Sequence, residues 1–582
     1  KRELLDISKI PLDDAATFKL FREARTVAIF QFESPGMQRL LKDALPDKFE
    51  DLIALVALYR PGPMDLIPDF VARKKGEQNV EYPDPRVESI LAETYGIMVY
   101  QEQVMQMAQI VGGYTLGGAD LLRRAMGKKK PAEMARHREL FREGADKNGL
   151  SANQAEAIFD LMEKFAGYGF NKSHATAYAL VAYQTAWLKT HYPAEFMAAT
   201  LSADMDNTDK VVGLLQDTRA MGIEVLPPDV NASSWAFVAL PDGRIRYGLG
   251  AIKGVGRGAC EAIVEARMRG YRNLPDLCSR VDSSRLNKRV FEALIQAGAM
   301  DSLGAHRAAL MAQLPEAVRA AEQASRDRES GQGDIFGLRT AGGSAGAGVA
   351  LPEIAPWPPE ELLAFERASL GHYFSGHPTD AWQSLLRQLA TCPLGEIAEH
   401  YSAPPSSAER RRPPEVPWVV AGIVAETRKR GENMAFVRIE DASGFVEVSL
   451  FSEAWLQYSE LITRDALLVV AGGLTPDSFN GGYQLRARKV WTLNQACAAH
   501  ARLLGLDLAD PDPDFPGQLA RLLDAHPGTT PVLLRGYRND GASTDLELPG
   551  RRVQASTELI RELEQLQGIA AVHLALSRPA TD

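Results

Sequence analysis

Two short stretches of this 582-residue chain carry the residue types that grip phosphate. The first runs Gly117-Gly118-Ala119-Asp120-Leu121-Leu122-Arg123-Arg124-Ala125-Met126-Gly127-Lys128-Lys129-Lys130. Guanidinium forks meet phosphate oxygens two at a time and lysines add point charge, so an Arg-Arg pair one turn from a Lys run gathers cations around one anion-sized volume. The second is Gly167-Tyr168-Gly169-Phe170-Asn171-Lys172-Ser173-His174. Its glycines permit close backbone approach. Lys172 and His174 flank the predicted start of a helix, where free N–H groups and the dipole favour an anion, and Tyr168 offers a ring on which a base can stack. Taken singly, the first stretch also reads as a solvated helix face and the second as a capped turn; their combination is the specific signal. The Gly-x-x-x-x-Gly-Lys-[Ser/Thr] order of a P-loop is not met. Paired carboxylates occur at Asp204-Met205-Asp206, after a helix, and at Asp510-Pro511-Asp512-Pro513-Asp514, broken by prolines. Neither is set on a rigid strand, as a catalytic metal pair requires, so no residue is assigned to a metal.

A third motif is Tyr247-Gly248-Leu249-Gly250-Ala251-Ile252-Lys253-Gly254-Val255-Gly256, leading into a helix. It looks like a helix-hairpin-helix, in which Gly254 and Gly256 bring backbone N–H groups against a DNA phosphate while Lys253 and Arg257 add charge. A weaker second copy runs from Arg285-Leu286-Asn287-Lys288-Arg289 through Ala297-Gly298-Ala299. Such pairs grip duplex backbone without reading sequence. With 65 Lys+Arg against 75 Asp+Glu, the net charge of −10 excludes a basic coat over the whole molecule. Charge is instead concentrated: Leu121 to Arg142 holds eight basic residues and two Glu. Cys260, Cys278, Cys392 and Cys497 are far apart and form no C-x-x-C pair, which argues against a disulfide scaffold or zinc ribbon and suits a reducing cytoplasm. The longest apolar runs fall short of the roughly 18 residues that a membrane span requires.

These motifs need elements to hold them. Residues 1 to about 235 read as mostly helical. Asp13 is the predicted N-cap of a helix through Phe21. Met37–Leu45 and Phe49–Tyr59 follow, the second stopped by Arg60-Pro61-Gly62-Pro63. Further helices are predicted at Glu102–Ile110, Ala132–Asn148 and Gln154–Phe165, and Ser173 is the predicted cap of a long helix over Ala175–Thr190. A short strand at Ile245–Leu249 leads through the glycine turn to a helix at Ala259–Arg267. Residues 325–350 are rich in Gly, Ser and Ala and read as a flexible linker. From Trp418 to Trp491 the period changes to two, giving strands Val419–Val424, Ala435–Ile439, Phe445–Phe451, Leu467–Ala471 and Tyr483–Val490, with a helix at Glu453–Ile462. Five strands with that inserted helix are the pattern of an OB-type barrel. The last eighty or so residues mix strands at Val532–Leu534 and Thr544–Leu548 with a helix at Thr557–Gln567. The expected fold is therefore multidomain: mainly α at first, then a β-barrel and a small α/β domain.

The two phosphate-type stretches, with Leu58-Tyr59-Arg60-Pro61-Gly62-Pro63, Tyr95-Gly96-Ile97-Met98-Val99-Tyr100-Gln101-Glu102-Gln103-Val104-Met105 and His191-Tyr192-Pro193-Ala194-Glu195-Phe196, closely resemble the fingers of the bacterial DNA polymerase III alpha subunit family, the C-family replicative polymerases. The resemblance extends through essentially the whole chain. It implies fingers over 1–225, a helix-hairpin-helix domain over 226–325, a linker over 326–350, a helical connector over 351–415, an OB-fold over 416–495 and a clamp-loader (tau) binding domain over 496–582. It implies template-directed addition of dNTPs to a primer 3′-hydroxyl by two-metal phosphoryl transfer, with three palm aspartates holding Mg²⁺. The chain opens at Lys1-Arg2-Glu3-Leu4-Leu5-Asp6, which looks like sequence just after the last palm aspartate. The expectation is thus a fragment lacking the N-terminal PHP domain, most of the palm and the catalytic carboxylates.

Carried over residue by residue, the resemblance implies that Arg123, Arg124, Tyr168, Lys172 and His174 hold the incoming triphosphate. It implies that Lys128, Lys129 and Lys130 touch template or primer phosphates, as Lys253, Gly254, Gly256 and Arg257 do on duplex. Gln332-Gly333-Asp334-Ile335-Phe336 resembles the family's clamp-binding pentapeptide, so Gln332, Asp334, Ile335 and Phe336 are expected to bind the sliding clamp (beta). The barrel is expected to bind single-stranded template: Trp418, Phe436, Phe445 and Phe451 are aromatic candidates, while Phe479, Tyr483 and a loop bearing Arg428, Lys429 and Arg430 are better placed. Expected partners are primer–template DNA, dNTPs, the clamp, tau and a proofreading exonuclease subunit, in the cytoplasm and without a membrane. Two rivals remain. A NAD-dependent DNA ligase also joins helix-hairpin-helix and OB modules but needs a Lys-x-Asp-Gly nucleophile and usually a four-cysteine zinc site, neither of which is present. A non-catalytic scaffold for DNA, clamp and clamp loader would carry every module without using the triphosphate residues.

Overall fold

In the computed structural model, side-chain oxygens that meet free N–H groups set many of the helix starts. It describes residues 5–128, 131–166, 169–282, 284–329, 350–402, 414–477, 482–509, 512–537 and 543–581. Asp14, not Asp13, caps the Ala15–Arg22 helix, accepting from the Thr17 N–H at 2.8 Å. Asn171, not Ser173, caps the Lys172–His191 helix, accepting from the His174 N–H at 2.8 Å. The earlier start puts Lys172 in the first helical position. The physical reason is that Asn171 is itself held from outside, its amide donating to Glu102 at 2.7 Å.

The chain divides into two units, Lys1–Trp357 with Phe365–His372, and Pro358–Ala364 with Tyr373–Asp582. In the first, Phe49–Leu58 is buried along nearly its whole length. Lys172–His191 packs on it through Ala175, Ala179, Ala182 and Ala186, an alanine face that lets the two helices approach, with Tyr183 buried beside it. A second core gathers Gln101–Ile110, Leu116–Lys128, Pro131–Lys147 and Ala152–Ala166 around Met107, Leu122, Phe141, Phe159 and Met162. Lys189 is buried and fully engaged: its ammonium donates to the Arg25 and Val27 carbonyls at 3.1 and 2.8 Å and pairs with Asp217 at 2.7 Å. It ties the long helix to a neighbouring loop and to Thr208–Ala220. Further on, Val225–Leu226 pairs parallel with Ile245–Arg246, which pairs antiparallel with Val238–Ala239. Ile245–Arg246 leads through a turn into Arg257–Ala266. The Arg307–Glu329 helix runs on past residue 325, where the sequence reads as linker.

In the second unit five strands, Val416–Lys429, Met434–Glu440, Phe445–Phe451, Leu467–Pro476 and Tyr483–Thr492, close into a barrel in the order first–second–third–fifth–fourth. Alternation fills its interior: Ala435, Val437 and Ile439 face inward beside Val446, Val448 and Leu450. Ser452–Tyr458 is the inserted helix. After the barrel, Ser543–Val553, Pro527–Tyr537, Ala501–Leu508 and Ile569–Leu576 form a four-stranded sheet in that spatial order. Two of its strands, Ala501–Leu508 and Ile569–Leu576, and the Phe515–Ala525 helix go unread in the sequence. The leucine- and alanine-rich composition of the two strands gives little β signal, and pairing makes them strands.

Candidate polyphosphate and nucleic-acid interface

The first turn of the Gln101–Ile110 helix is the frame of the site. It is fixed from beneath by Gln103, whose buried amide is fully satisfied. Its oxygen accepts from the Val99 and Tyr100 N–H groups at 2.8 and 3.0 Å, and its nitrogen donates to the Ile90 carbonyl and the Thr94 hydroxyl at 3.2 and 2.9 Å. Such a buried network locks one geometry, because any unmade bond there is costly. Gln101 and Glu102 are thereby held at the surface. The Gln101 N–H donates to the Phe170 carbonyl at 2.9 Å, and the Phe170 N–H donates to the Val99 carbonyl at 3.2 Å.

Around this turn the two predicted stretches meet. Arg123 donates to the Gln101 side-chain oxygen at 3.2 Å, and the Gln101 amide donates to the Gly169 carbonyl at 3.0 Å. Glu102 accepts from the Asn171 amide and from the Lys172 N–H at 2.7 and 2.9 Å. Asp120 pairs with both arginines, at 2.8 Å to Arg123 Nη2 and 2.8 Å to Arg124 Nε. Hydrogen bonding from Arg123 holds its carboxyl below the usual carboxylate range. Lys172 donates to both oxygens of Glu93 at 2.8 and 2.7 Å. The cations stay accessible: Arg123 is 31% exposed, Arg124 63% and Lys172 37%. Exposed pairs of this kind are weak, so a polyanion can take over the guanidinium groups at little cost. The exposed His174 ring lies against Tyr178 at 4.3 Å and edge-on to Phe170 at 5.3 Å.

Gln101, Glu102, Glu93 and Asp120 were not singled out by sequence reasoning. Nor was Arg60, whose guanidinium stacks over Phe170 at 4.1 Å and donates to the Ala57 carbonyl at 2.8 Å. Its signal was present in Arg60-Pro61-Gly62-Pro63, read as a helix stop and as part of a motif that carries the family resemblance, with no role given to Arg60 itself. Tyr168, Lys129 and Lys130 lie outside the described residues, as does the side chain of Lys128, which closes the Leu116–Lys128 helix. The pentapeptide residues Gln332, Asp334, Ile335 and Phe336 also lie outside them. Asp204 is paired with Lys210 at 2.9 Å. Among the described residues no group of three or more His, Cys, Asp or Glu side chains could hold a metal ion.

In the glycine-rich turn, Gly254 has φ +84°, a left-handed conformation that glycine adopts without strain. Lys253, Gly254, Gly256 and Arg257 are exposed. Arg257 pairs with Glu261 one turn along. A Cβ at Gly256 or Gly258 would meet nothing within 4 Å. Interior packing therefore does not demand glycine there, while an external backbone-to-phosphate contact would.

In the barrel, Arg438 stacks on Phe445 at 3.7 Å and Arg486 lies over Phe451 at 5.3 Å, with both phenylalanines exposed. Arg438 stands opposite Glu447, which also pairs with Arg428. Of the aromatic candidates, Trp418 is core. Tyr483 packs on Tyr401 at 4.9 Å, and Phe479 lies outside the described residues. Arg428 and Lys429 end the first strand instead of sitting in a loop, because that strand runs through to Lys429 before the turn.

Three family models match the chain: the bacterial DNA polymerase III alpha subunit finger domain over residues 1–149, a helix-hairpin-helix motif over 222–310 and an OB-fold nucleic acid binding domain over 418–493. Among curated relatives, DNA polymerase III subunit alpha of Xylella fastidiosa (strain Temecula1 / ATCC 700964) is 52% identical over 99% of this chain and 49% of its own length. The subunit of Neisseria meningitidis serogroup B is 48% identical over 98% of this chain and 49% of its own. That of Escherichia coli K12 is 46% identical over 98% and 50%. The chain spans about half the length of the curated relatives it matches.

Proposed function

Because the chain belongs to the DNA polymerase III alpha subunit family, we propose that it serves template-directed addition of dNTPs to a primer 3′-hydroxyl, supplying the groups that bind and align nucleotide and DNA. The observation that carries this reading is the bridge from Arg123 through Gln101 to Gly169, which joins two cation-bearing stretches around one surface. Arg123, Arg124, Lys172 and His174, with Tyr168, are assigned to the triphosphate. Forked donors and an ammonium neutralise its oxygens and hold the α-phosphorus for in-line attack. Lys128, Lys129 and Lys130 are assigned to template or primer phosphates. Lys253, Gly254, Gly256 and Arg257 are assigned to duplex backbone, and the Phe445–Phe451 face of the barrel to single strand, where bases stack on rings beside arginines.

Mg²⁺ is the ion that phosphoryl transfer calls for. The described residues do not fit it: they hold no metal-type cluster, and the nearby carboxylates Asp120 and Glu93 are both committed to cations. We assign binding and alignment to this chain's residues. The sliding clamp at Gln332–Phe336, tau at residues 496–582 and a proofreading exonuclease belong to the same proposal, as does a cytoplasmic setting. Four buried free cysteines support that setting. Among the described residues no helix is long and apolar enough to cross a membrane.

Binding of dATP to this chain tests the reading. Arg123→Ala with Arg124→Ala removes two charge-assisted donors and is expected to weaken it by about 100-fold. A scaffold that only tethers DNA and clamp would be indifferent to that change. Robust primer extension by this chain alone with Mg²⁺ and dNTPs would overturn the allocation of roles.

A further inference from the structure

We propose that Gln101 is a positioning residue that sets the spacing between the Arg123 and Lys172 arms of the site, so that a ligand must be as long as a polyphosphate chain to profit from both; this rests on the nucleotide-site reading above. Gln101 uses both ends of its side-chain amide at once. The oxygen accepts from Arg123 Nη1 at 3.2 Å, on the Leu116–Lys128 helix, and the nitrogen donates to the Gly169 carbonyl at 3.0 Å, just before the Lys172–His191 helix. These partners lie 22 and 68 positions away in sequence. No other residue type of this length offers a donor and an acceptor at one terminus without a charge.

The fit is close. A Cβ at Gly169 would stand 3.2 Å from Gln101 Cγ and 3.6 Å from its Cα, so the glycine gives Gln101 its room. The backbone beneath cannot drift, because the Gln101 N–H is bound to the Phe170 carbonyl and the adjacent Gln103 amide is buried and satisfied. Glu102 completes the frame by accepting from Asn171 and the Lys172 N–H. Asp120 orients Arg123 from the other side at 2.8 Å. Arg123 is thus tethered at two points and Lys172 at its backbone and its ammonium, and Gln101 alone among these tethers reaches both stretches. An arm left free would pivot, and a triphosphate would have to order it on binding at an entropic cost.

The prediction concerns ligand length. Inorganic phosphate is expected to engage one arm, and inorganic tripolyphosphate both. Titrations of each into the purified chain, without metal, compare the wild type with Gln101→Met, which keeps the length and loses both bonds, and Gln101→Glu, which keeps the acceptor for Arg123 and loses the donor to Gly169. The wild type is expected to bind tripolyphosphate at least tenfold more tightly than phosphate. Gln101→Met should abolish most of that preference by weakening tripolyphosphate alone. Gln101→Glu should lose the preference in part, and it also serves if Gln101→Met does not fold. If the wild type shows no preference, the nucleotide-site reading itself fails. If the wild type discriminates and the variants discriminate equally well, or bind both probes more weakly by the same factor, the positioning role is overturned while the site stands.

Discussion

Arg123 and Gly169, near Lys172, are joined through Gln101, whose partners lie 22 and 68 positions away, whereas Arg438 and Phe445 meet because they sit on adjacent paired strands. The first surface is assembled from three helices and a loop, and Arg123, Arg124 and Lys172 each carry a carboxylate companion, Asp120 or Glu93. The second is the outer face of a ladder whose inner face is the barrel core, so one register decides both. Small-molecule polyphosphate recognition demands groups converging on a point, which single elements rarely provide. A single nucleic-acid strand demands a repeating track, which a sheet provides directly.

Each of four changes should break or sharpen that contrast. The largest effect is expected from Lys189→Met, which leaves Asp217 and two carbonyls unpaired at the seat of the long helix. It should cost the helical unit about 3–5 kcal/mol, read as faster hydrogen exchange along Lys172–His191, and should weaken tripolyphosphate binding. Oligo-dT binding by the barrel should not change, and an equal loss there would erase the contrast. Next is pH. Burial, with Arg219 nearby, pushes the His372 imidazole down to about 4 from 6.5. As pH falls below 6.5 the unfolded chain takes up this proton first, so the stability present above 6.5 drains away by about 3 kcal/mol as pH approaches 4. Melts of the helical unit should follow that window, and His372→Gln should flatten it. Third, Phe445→Ala and Phe451→Ala should each weaken oligo-dT binding about tenfold and leave tripolyphosphate untouched. The smallest effect is Gly258→Ala. It adds a methyl group into open space in a helix, so thermal stability should rise by up to about 1 kcal/mol while duplex affinity falls a few-fold. A variant that gained both would remove the reason given for glycine there.

Much of this was written into the chain. The period-two run after Trp418 announced five barrel strands at nearly their observed places, because alternation reports directly which residues face a core. The cation-rich stretches and glycine turns were visible by composition, while the contacts that bring the first two stretches together were not. Cap positions were shifted by one or two residues, at Asp14 and Asn171, because neighbours elsewhere in the chain decided which oxygen met which N–H. Ala501–Leu508 and Ile569–Leu576 were not legible, because they become strands only through pairing in the four-stranded sheet.

The sequence by itself determined the family likeness, through its motifs, and the barrel and several of the helices, since these follow from residue type and short-range period. Only the tertiary structure decided that Arg123 and Gly169 share Gln101, that Asp120 and Glu93 accompany the cations, and that Arg60 lies over Phe170. Those facts depend on long-range packing of helices, where closeness in space has no counterpart in spacing along the chain.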